Sequence, residues 1–196
     1  FEKKLLKIIK RIPGELGTIQ TAFGIYGNGI NNNGSHLIDL ARMFFGKVSW
    51  VQSLANKRVN EDISNNSDKN FPFALGFKSG TTLLTQVVNY EEYREFYLDL
   101  WGVKGRRSFL QEGLISAYYP LKKHRFSDND NEIASDDSFI EFMDQGNAMY
   151  NLYEKIFSRI KSNDLNNKNL EYALNVLEII KKLEFSLNRG DERIYL

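Results

Sequence analysis

The stretch Tyr26-Gly-Asn-Gly-Ile-Asn-Asn-Asn-Gly-Ser-His-Leu-Ile-Asp39 is where flexible backbone, amides, a hydroxyl, an imidazole and a carboxylate converge. Three chemistries compete for it. As a phosphate loop, Gly29-x4-Gly34-Ser35 imitates a nucleotide-binding turn, but the Lys that this motif requires is absent. A G-x-G-x-x-G is absent too, because position 32 is Asn. As plain structure, the glycines and asparagines turn the chain into a capped helix, and His36 is an ordinary first-turn residue. As a proton-transfer site, Asn32, His36 and Asp39 stand four and three residues apart, so a helix beginning near Asn32 projects all three from one side. His36 is then the candidate base, and Asp39 the group that orients its ring or fixes its tautomer.

These residues need elements to hold them. Leu5, Ile8, Ile9 and Ile12 recur at helical spacing among lysines until Pro13-Gly14, which predicts a short amphipathic helix over residues 2 to 11. Thr18 to Ile25 reads as a strand leading into the Gly/Asn-rich loop. Leu37, Ile38, Leu40, Ala41, Phe44 and Phe45 then mark a helix ended by Gly46, with Asn32, Asn33 or Ser35 to cap its start. From residue 47 to about 122 the apolar period changes to two. It predicts strands at Val48 to Arg58, Phe71 to Lys78, Thr81 to Tyr90, Tyr93 to Trp101, Arg106 to Gln111 and Leu114 to Leu121. The joins are short, which favours antiparallel pairing, apart from the polar join Val59 to Asn70. Ser127 to Ser138 is loop-like in composition, two helices follow, and Ile194 to Leu196 suits a last edge strand.

The expected fold is α+β: a large open, mostly antiparallel sheet of about six strands with helices packed on one face. Trp50, Tyr97, Trp101, Tyr118 and Tyr119 are more aromatic surface than a solvated face usually carries. They either form a partner surface or pack under the helices, because register is not fixed by one sequence.

Composition narrows the function. The chain has 196 residues, 42% of them hydrophobic, enough for a core without metal or disulfide support. With no cysteine, disulfide scaffolds, zinc knuckles and thiol nucleophiles are excluded, and a reducing compartment, the cytoplasm, is expected. Twenty-six Lys and Arg against 25 Asp and Glu give a net charge of +1, so no broad field favours nucleic acid or anionic lipid, and small molecules or proteins are the expected partners. No apolar run approaches the roughly 20 residues of a membrane helix. No metal site is expected: His124 sits in a basic patch without ligand-type neighbours and reads as solvated surface. Arg106 and Arg107 receive no role beyond solvation or pairing with carboxylates.

Gly34-Ser35-His36-Leu37-Ile38-Asp39-Leu40-Ala41-Arg42, within Tyr26 to Gly46, resembles the active-site helix of the glucose-fructose oxidoreductase and inositol dehydrogenase family (Gfo/Idh/MocA). Three further segments agree in order. Glu15-Leu16-Gly17-Thr18-Ile19 resembles the start of that family's second domain, Leu98 to Arg106 its "D-x-x-G-x-x-G-R" hairpin, and Leu174 to Leu196 its closing helix, Gly turn and terminal strand. The resemblance implies that residues 1–196 are one α+β domain, the C-terminal, substrate-binding half of a two-domain dehydrogenase whose dinucleotide-binding domain is absent from these residues. It implies NAD or NADP as cofactor, held mainly by that other domain, and a sugar, nucleotide sugar or cyclitol as substrate. It also implies a homo-oligomer formed through the open sheet face, and His36 as the proton-transferring residue. Asn32, Asn33 and Tyr26 are then candidates to hydrogen-bond substrate hydroxyls. The family often has Asp four residues before that His, where this chain has Asn32. An amide neither accepts a proton nor lends charge, so His36 works with solvent and Asp39, or the pair is weakened. The alternative is a non-catalytic ligand-sensing or scaffold protein that keeps the fold.

Overall fold

A computed structural model describes residues 3–55, 68–143, 148–162 and 168–196. The foreseen strand's last residues, 56–58, the first part of the polar join and residue 2 of the first helix lie outside the described residues. Helix α1 (Lys3–Leu16) runs past the expected stop at Pro13. Pro13 removes one backbone donor, yet the last turn holds, because Leu16 is fully buried and Glu15 is ion-paired to Arg107. Strand β1 (Ile19–Tyr26) leads through a wide π-turn, Gly29–Gly34, into α2 (Ser35–Phe45). Gly46 ends α2 at φ 80°, its N–H reaching Arg42 O at 2.9 Å.

The strands that follow are β2 (Val48–Ser53), β3 (Phe73–Phe77), β4 (Thr82–Val87), β5 (Tyr97–Gly102), β6 (Gly105–Leu110), β7 (Ile115–Lys123), β8 (Asn131–Ile133) and β9 (Phe139–Phe142). Helices α3 (Ala148–Lys161) and α4 (Lys168–Asn188) and strand β10 (Ile194–Tyr195) complete the chain. The class is α+β, with an open mixed sheet in the order β10-β2-β3-β4-β1-β5-β6-β7-β8, and β9 also on β7. Among the described residues it has ten strands where about six were expected. Two of the extra ones flank and interrupt the presumed loop: β8 lies inside Ser127 to Ser138 and β9 just after it. Every pairing is antiparallel except β1 with β4, where Ala22 faces Leu83. That pairing spans α2, β2 and β3, the long crossover that parallel strands need.

Alternation along the strands gives the sheet two unlike faces. Ala22, Leu83, Leu98 and Phe109 face α2 and α4, joining Leu37, Ile38, Ile180 and Leu183 in one core. Gly24 lies on this face, where a Cβ would come within 2.8 Å of Leu37, so its lack of a side chain lets α2 press onto β1. Arg107 is also on this face, fully buried beside α1, with Nη2 2.7 Å from Glu15 Oε2 and Nη1 3.0 Å from Glu141 Oε2 and 2.7 Å from Ser116 Oγ. Such a network survives burial because each guanidinium nitrogen finds an acceptor.

The second face is open among the described residues. Phe23 is 42% exposed, Leu84 39% and Ile140 53%. Trp50, Tyr97, Trp101 and Tyr119 alternate onto this face, whereas Tyr118 turns to the helix side and donates to Glu15 O at 3.1 Å. Arg106 lies over Trp101 and Tyr119, 4.6 and 5.2 Å from their ring centres, and its Nε bonds the buried Asp99 at 2.9 Å. Both arginines of the hairpin are therefore paired with carboxylates.

Candidate functional site

Strands β1 and β4 run parallel and stop at Tyr26 and Val87, while β5 starts beside them at Tyr97. Three connections therefore gather at one end of the sheet: 27–34, 68–72 and 88–96. They are tied to each other, with Val88 N bonded to Tyr26 O at 3.0 Å and Ile30 N to Lys69 O at 2.9 Å. Tyr90 packs against Gly27, and its hydroxyl bonds Glu112, which also receives Arg94 Nε at 3.2 Å.

The helical segment that carries the candidate residues begins earlier than expected. Its first turn, Gly29–Gly34, is wound as π-helix, and Asn28 precedes it in the left-handed region at φ 62°. None of Asn32, Asn33 or Ser35 caps the start with its side chain. The Ser35 hydroxyl instead donates to Asn32 O at 2.6 Å, within the segment. The helix-start N–H groups are satisfied from across the sheet end. Gly29 N donates to Asn70 Oδ1 at 2.7 Å, Ile30 N to Lys69 O, Asn31 N to both oxygens of Asp68 at 3.1 Å, and Asn32 N to Asp68 Oδ2 at 3.2 Å. With these amides occupied by protein acceptors, the phosphate-loop reading loses the four successive backbone donors that would cradle a phosphate.

His36 is exposed in the first turn of α2, and Asp39, one turn on, is half-buried. Burial pushes the Asp39 carboxyl above its ordinary range, against the opposing charges of Arg42 and His36. The Asp39 carboxyl thus feels the charge of His36, three residues before it on α2. Among the described residues no hydrogen bond joins them. Asn32 is exposed and Asn33 half-buried on the preceding turn, and their side-chain amides are engaged by no described residue. This edge accordingly presents one imidazole, one carboxyl and two amides with hydrogen-bonding capacity to spare. That set can accept a proton and hold polar oxygens.

Tyr26 departs from the expectation. Its ring is fully buried against Phe73, and its hydroxyl donates to Phe71 O at 2.6 Å and accepts from Phe71 N at 3.3 Å. Burial raises its pKa well above the ordinary phenol value, with the Phe71 bond opposing and the Asp68 charge adding. A hydroxyl so engaged has nothing to offer a substrate. The alternation that makes Tyr26 the last inward residue of β1 explains why. His124 lies in the first turn after β7, with Nε2 3.9 Å from Glu132, and its neighbours Lys122 and Arg125 pair with Asp137 and Glu132. Among the described residues no group of three or more His, Asp or Glu could hold a metal ion, and no helix is long and apolar enough to cross a membrane.

Asp68 and Asn70 were missed in the sequence. The available signal was a Gly/Asn-rich helix start needing four acceptors, with two amide or carboxylate side chains ahead of the Phe71-Pro72-Phe73 run.

No curated protein matches the sequence. Solved structures do. GenD2 from gentamicin A biosynthesis, in complex with NAD, superimposes with a TM-score of 0.69 at 12% identity, covering 100% of this chain and 61% of that one. The WlbA dehydrogenase of Bordetella pertussis, in complex with NADH and UDP-GlcNAcA, gives 0.64 at 16% identity, covering 98% and 60%. The super-repressor mutant of Gal80p from Saccharomyces cerevisiae gives 0.67 at 9% identity, covering 98% and 62%. At these identities the likeness is one of fold, and the chain spans about 60% of those proteins' length. The family model described as the oxidoreductase family, C-terminal alpha/beta domain, matches residues 23–190, which take in the whole edge just described and both faces of the sheet. The chain therefore belongs to the Gfo/Idh/MocA oxidoreductase family, of which it carries the C-terminal alpha/beta domain.

Proposed function

We propose that this domain binds the substrate of an NAD- or NADP-dependent dehydrogenase acting on a hydroxyl or carbonyl of a sugar, nucleotide sugar or cyclitol. In this reading it works with a dinucleotide-binding domain that holds most of the cofactor. The observation that carries the reading is the exposed His36 beside half-buried Asp39, at the sheet end where three connections converge, in a chain of this family. NAD-bound GenD2 and NADH- and UDP-GlcNAcA-bound WlbA, which share the fold, support the choice of cofactor and substrate class.

Bound nicotinamide supplies the acceptor for the hydride that leaves the substrate carbon. His36 takes the proton of the substrate hydroxyl as its oxygen becomes a carbonyl, and returns it in the reverse direction. Asp39, not hydrogen-bonded to the ring, acts on it through charge and favours the imidazolium that forms when the proton is taken. Asn32 and Asn33 donate to and accept from neighbouring hydroxyls, the polar groups that orient a polyol. The aromatic open face pairs two copies of the chain.

The test is oxidation of a panel of sugars and cyclitols by the full-length protein with NAD and with NADP. His36→Ala is expected to lower kcat by about 100-fold or more with little change in cofactor KM. A rate within about threefold of the parent rejects His36 as the base. The second reading, a ligand-responsive regulator without turnover, is favoured by Asn32 standing where the family often has Asp, and by the fold shared with Gal80p. Binding of a sugar by calorimetry with no nicotinamide reduction across the panel would select it.

A further inference from the structure

The π-turn that introduces α2 is held by a segment far away in the chain. Residues 68–71 supply acceptors in sequence: the Asp68 carboxylate to the Asn31 and Asn32 amides, Lys69 O to Ile30, Asn70 Oδ1 to Gly29, and the Phe71 peptide to the Tyr26 hydroxyl. Of these acceptors the Asp68 carboxylate alone is charged, and it serves two successive amides and a side chain, Asn31 Nδ2, at 2.9 Å.

We propose that Asp68 is a positioning residue for the chemistry at His36: its carboxylate fixes the wide winding of Gly29–Gly34, and so the places of Asn32 and the imidazole relative to substrate. The proposal rests on the reading of His36 as the base. Wide π-turns are rare and recur at functional sites, and a turn of unfavourable winding persists only where its surroundings over-determine it. Here the over-determination is visible. Gly29 has φ 91°, and a Cβ on it would collide with the Asp68 carboxylate, so the glycine and the acid are fitted to one another. A carboxylate is also the charge that the positive end of a helix favours. Asp68 is bound to the frame of the sheet, since three residues on Phe71 is locked to Tyr26 at the end of β1. Its oxygens are taken up by the turn, which makes it a positioning group rather than one that touches substrate.

The test compares Asp68→Ala and Asp68→Asn in the full-length protein, by steady-state kinetics and by amide hydrogen exchange. Asp68→Ala is expected to lower kcat by roughly 10- to 100-fold, as a misplacement of about 1 Å does, with cofactor KM within about twofold. Asp68→Asn, which keeps one acceptor oxygen, is expected to recover most of that loss. Exchange at Asn31 and Asn32 is expected to quicken about tenfold or more in the alanine variant, with β5 and β6 amides unchanged. Unchanged exchange at Asn31 and Asn32 overturns the proposal, and so does quickened exchange with kcat intact in a protein that His36→Ala inactivates. If His36→Ala itself leaves kcat intact, the proposed base is wrong and the positioning claim falls with it. The exchange data then still report whether Asp68 holds the turn, so the two failures are told apart.

Discussion

Replacing Tyr26 by Phe separates a framework role from a substrate-binding one. The change removes a single oxygen, leaves the buried ring against Phe73 in place and creates almost no cavity. It deletes a donor 2.6 Å from Phe71 O and an acceptor 3.3 Å from Phe71 N, and Phe71 is itself only 1% exposed. The longer bond is weak, so the loss is chiefly one good hydrogen bond plus the desolvation of a carbonyl left without it, about 2 kcal/mol. For a chain of this size that is roughly 4 to 8 °C in Tm. In urea the midpoint should fall without a change in m, since the folded and unfolded surfaces are unaltered. Sugar KM should stay within about twofold, because the hydroxyl faces the protein. A variant with stability within about 0.5 kcal/mol of the parent and KM raised about tenfold, worth about 1.4 kcal/mol of binding, would refute this assignment and return Tyr26 to the substrate.

Arg107→Ala leaves Glu15 and Glu141 without their buried partner. Arg11 remains within reach of both carboxylates, so a loss near the lower end of the usual range for broken buried pairs is expected, about 3 kcal/mol by urea unfolding. Less than about 1 kcal/mol would mean that the network contributes little. The same network sets an acid limit. Burial works to raise the Glu141 carboxyl, but hydrogen bonds and charge from Arg11 and Arg107 outweigh it and hold it below 4.5. A depressed folded value means stability fully present above 4.5 and lost as pH falls through the folded value. That acid-side loss should shrink in Arg107→Ala. On the open face, Phe23→Lys with Leu84→Lys places two charges on neighbouring strands, where Phe23 faces Leu84. Sedimentation should show the parent as a dimer or larger and the double variant shifted toward monomer, and an unchanged distribution would move the interface elsewhere.

Much of this was legible from residue order. The α+β class, the helix over Ser35–Phe45 with its Gly46 stop, eight of the strands and the two late helices follow from local patterns, which neighbouring side chains set on their own. What escaped depends on residues distant in sequence. The β1–β4 pairing joins strands with two others between them, and no short-range pattern encodes it. Strand β8 carries Asn131 and Glu132, which suit a loop in isolation, and β9 is only four residues long; both become strands because β7 offers an edge. Helix α1 passes Pro13 because Leu16 and Glu15 are anchored by the sheet. At the candidate site the spacing of His36 and Asp39 was readable, as both lie on one helix. The burial of Tyr26 hinged on which way β1's last residue turned, and the part of Asp68 on a segment that approaches only after the sheet has formed.

The parallel pairing of β1 bears on how the polypeptide reaches this shape. β1 takes its neighbours from β4 and β5, both made long after it, so the strand at the middle of the sheet emerges from the ribosome with no partner to receive it. Closing so long a loop slows folding, and until it closes the apolar edge around Phe23 is open to other chains. Synthesis that pauses before β4 should therefore favour aggregation over maturation.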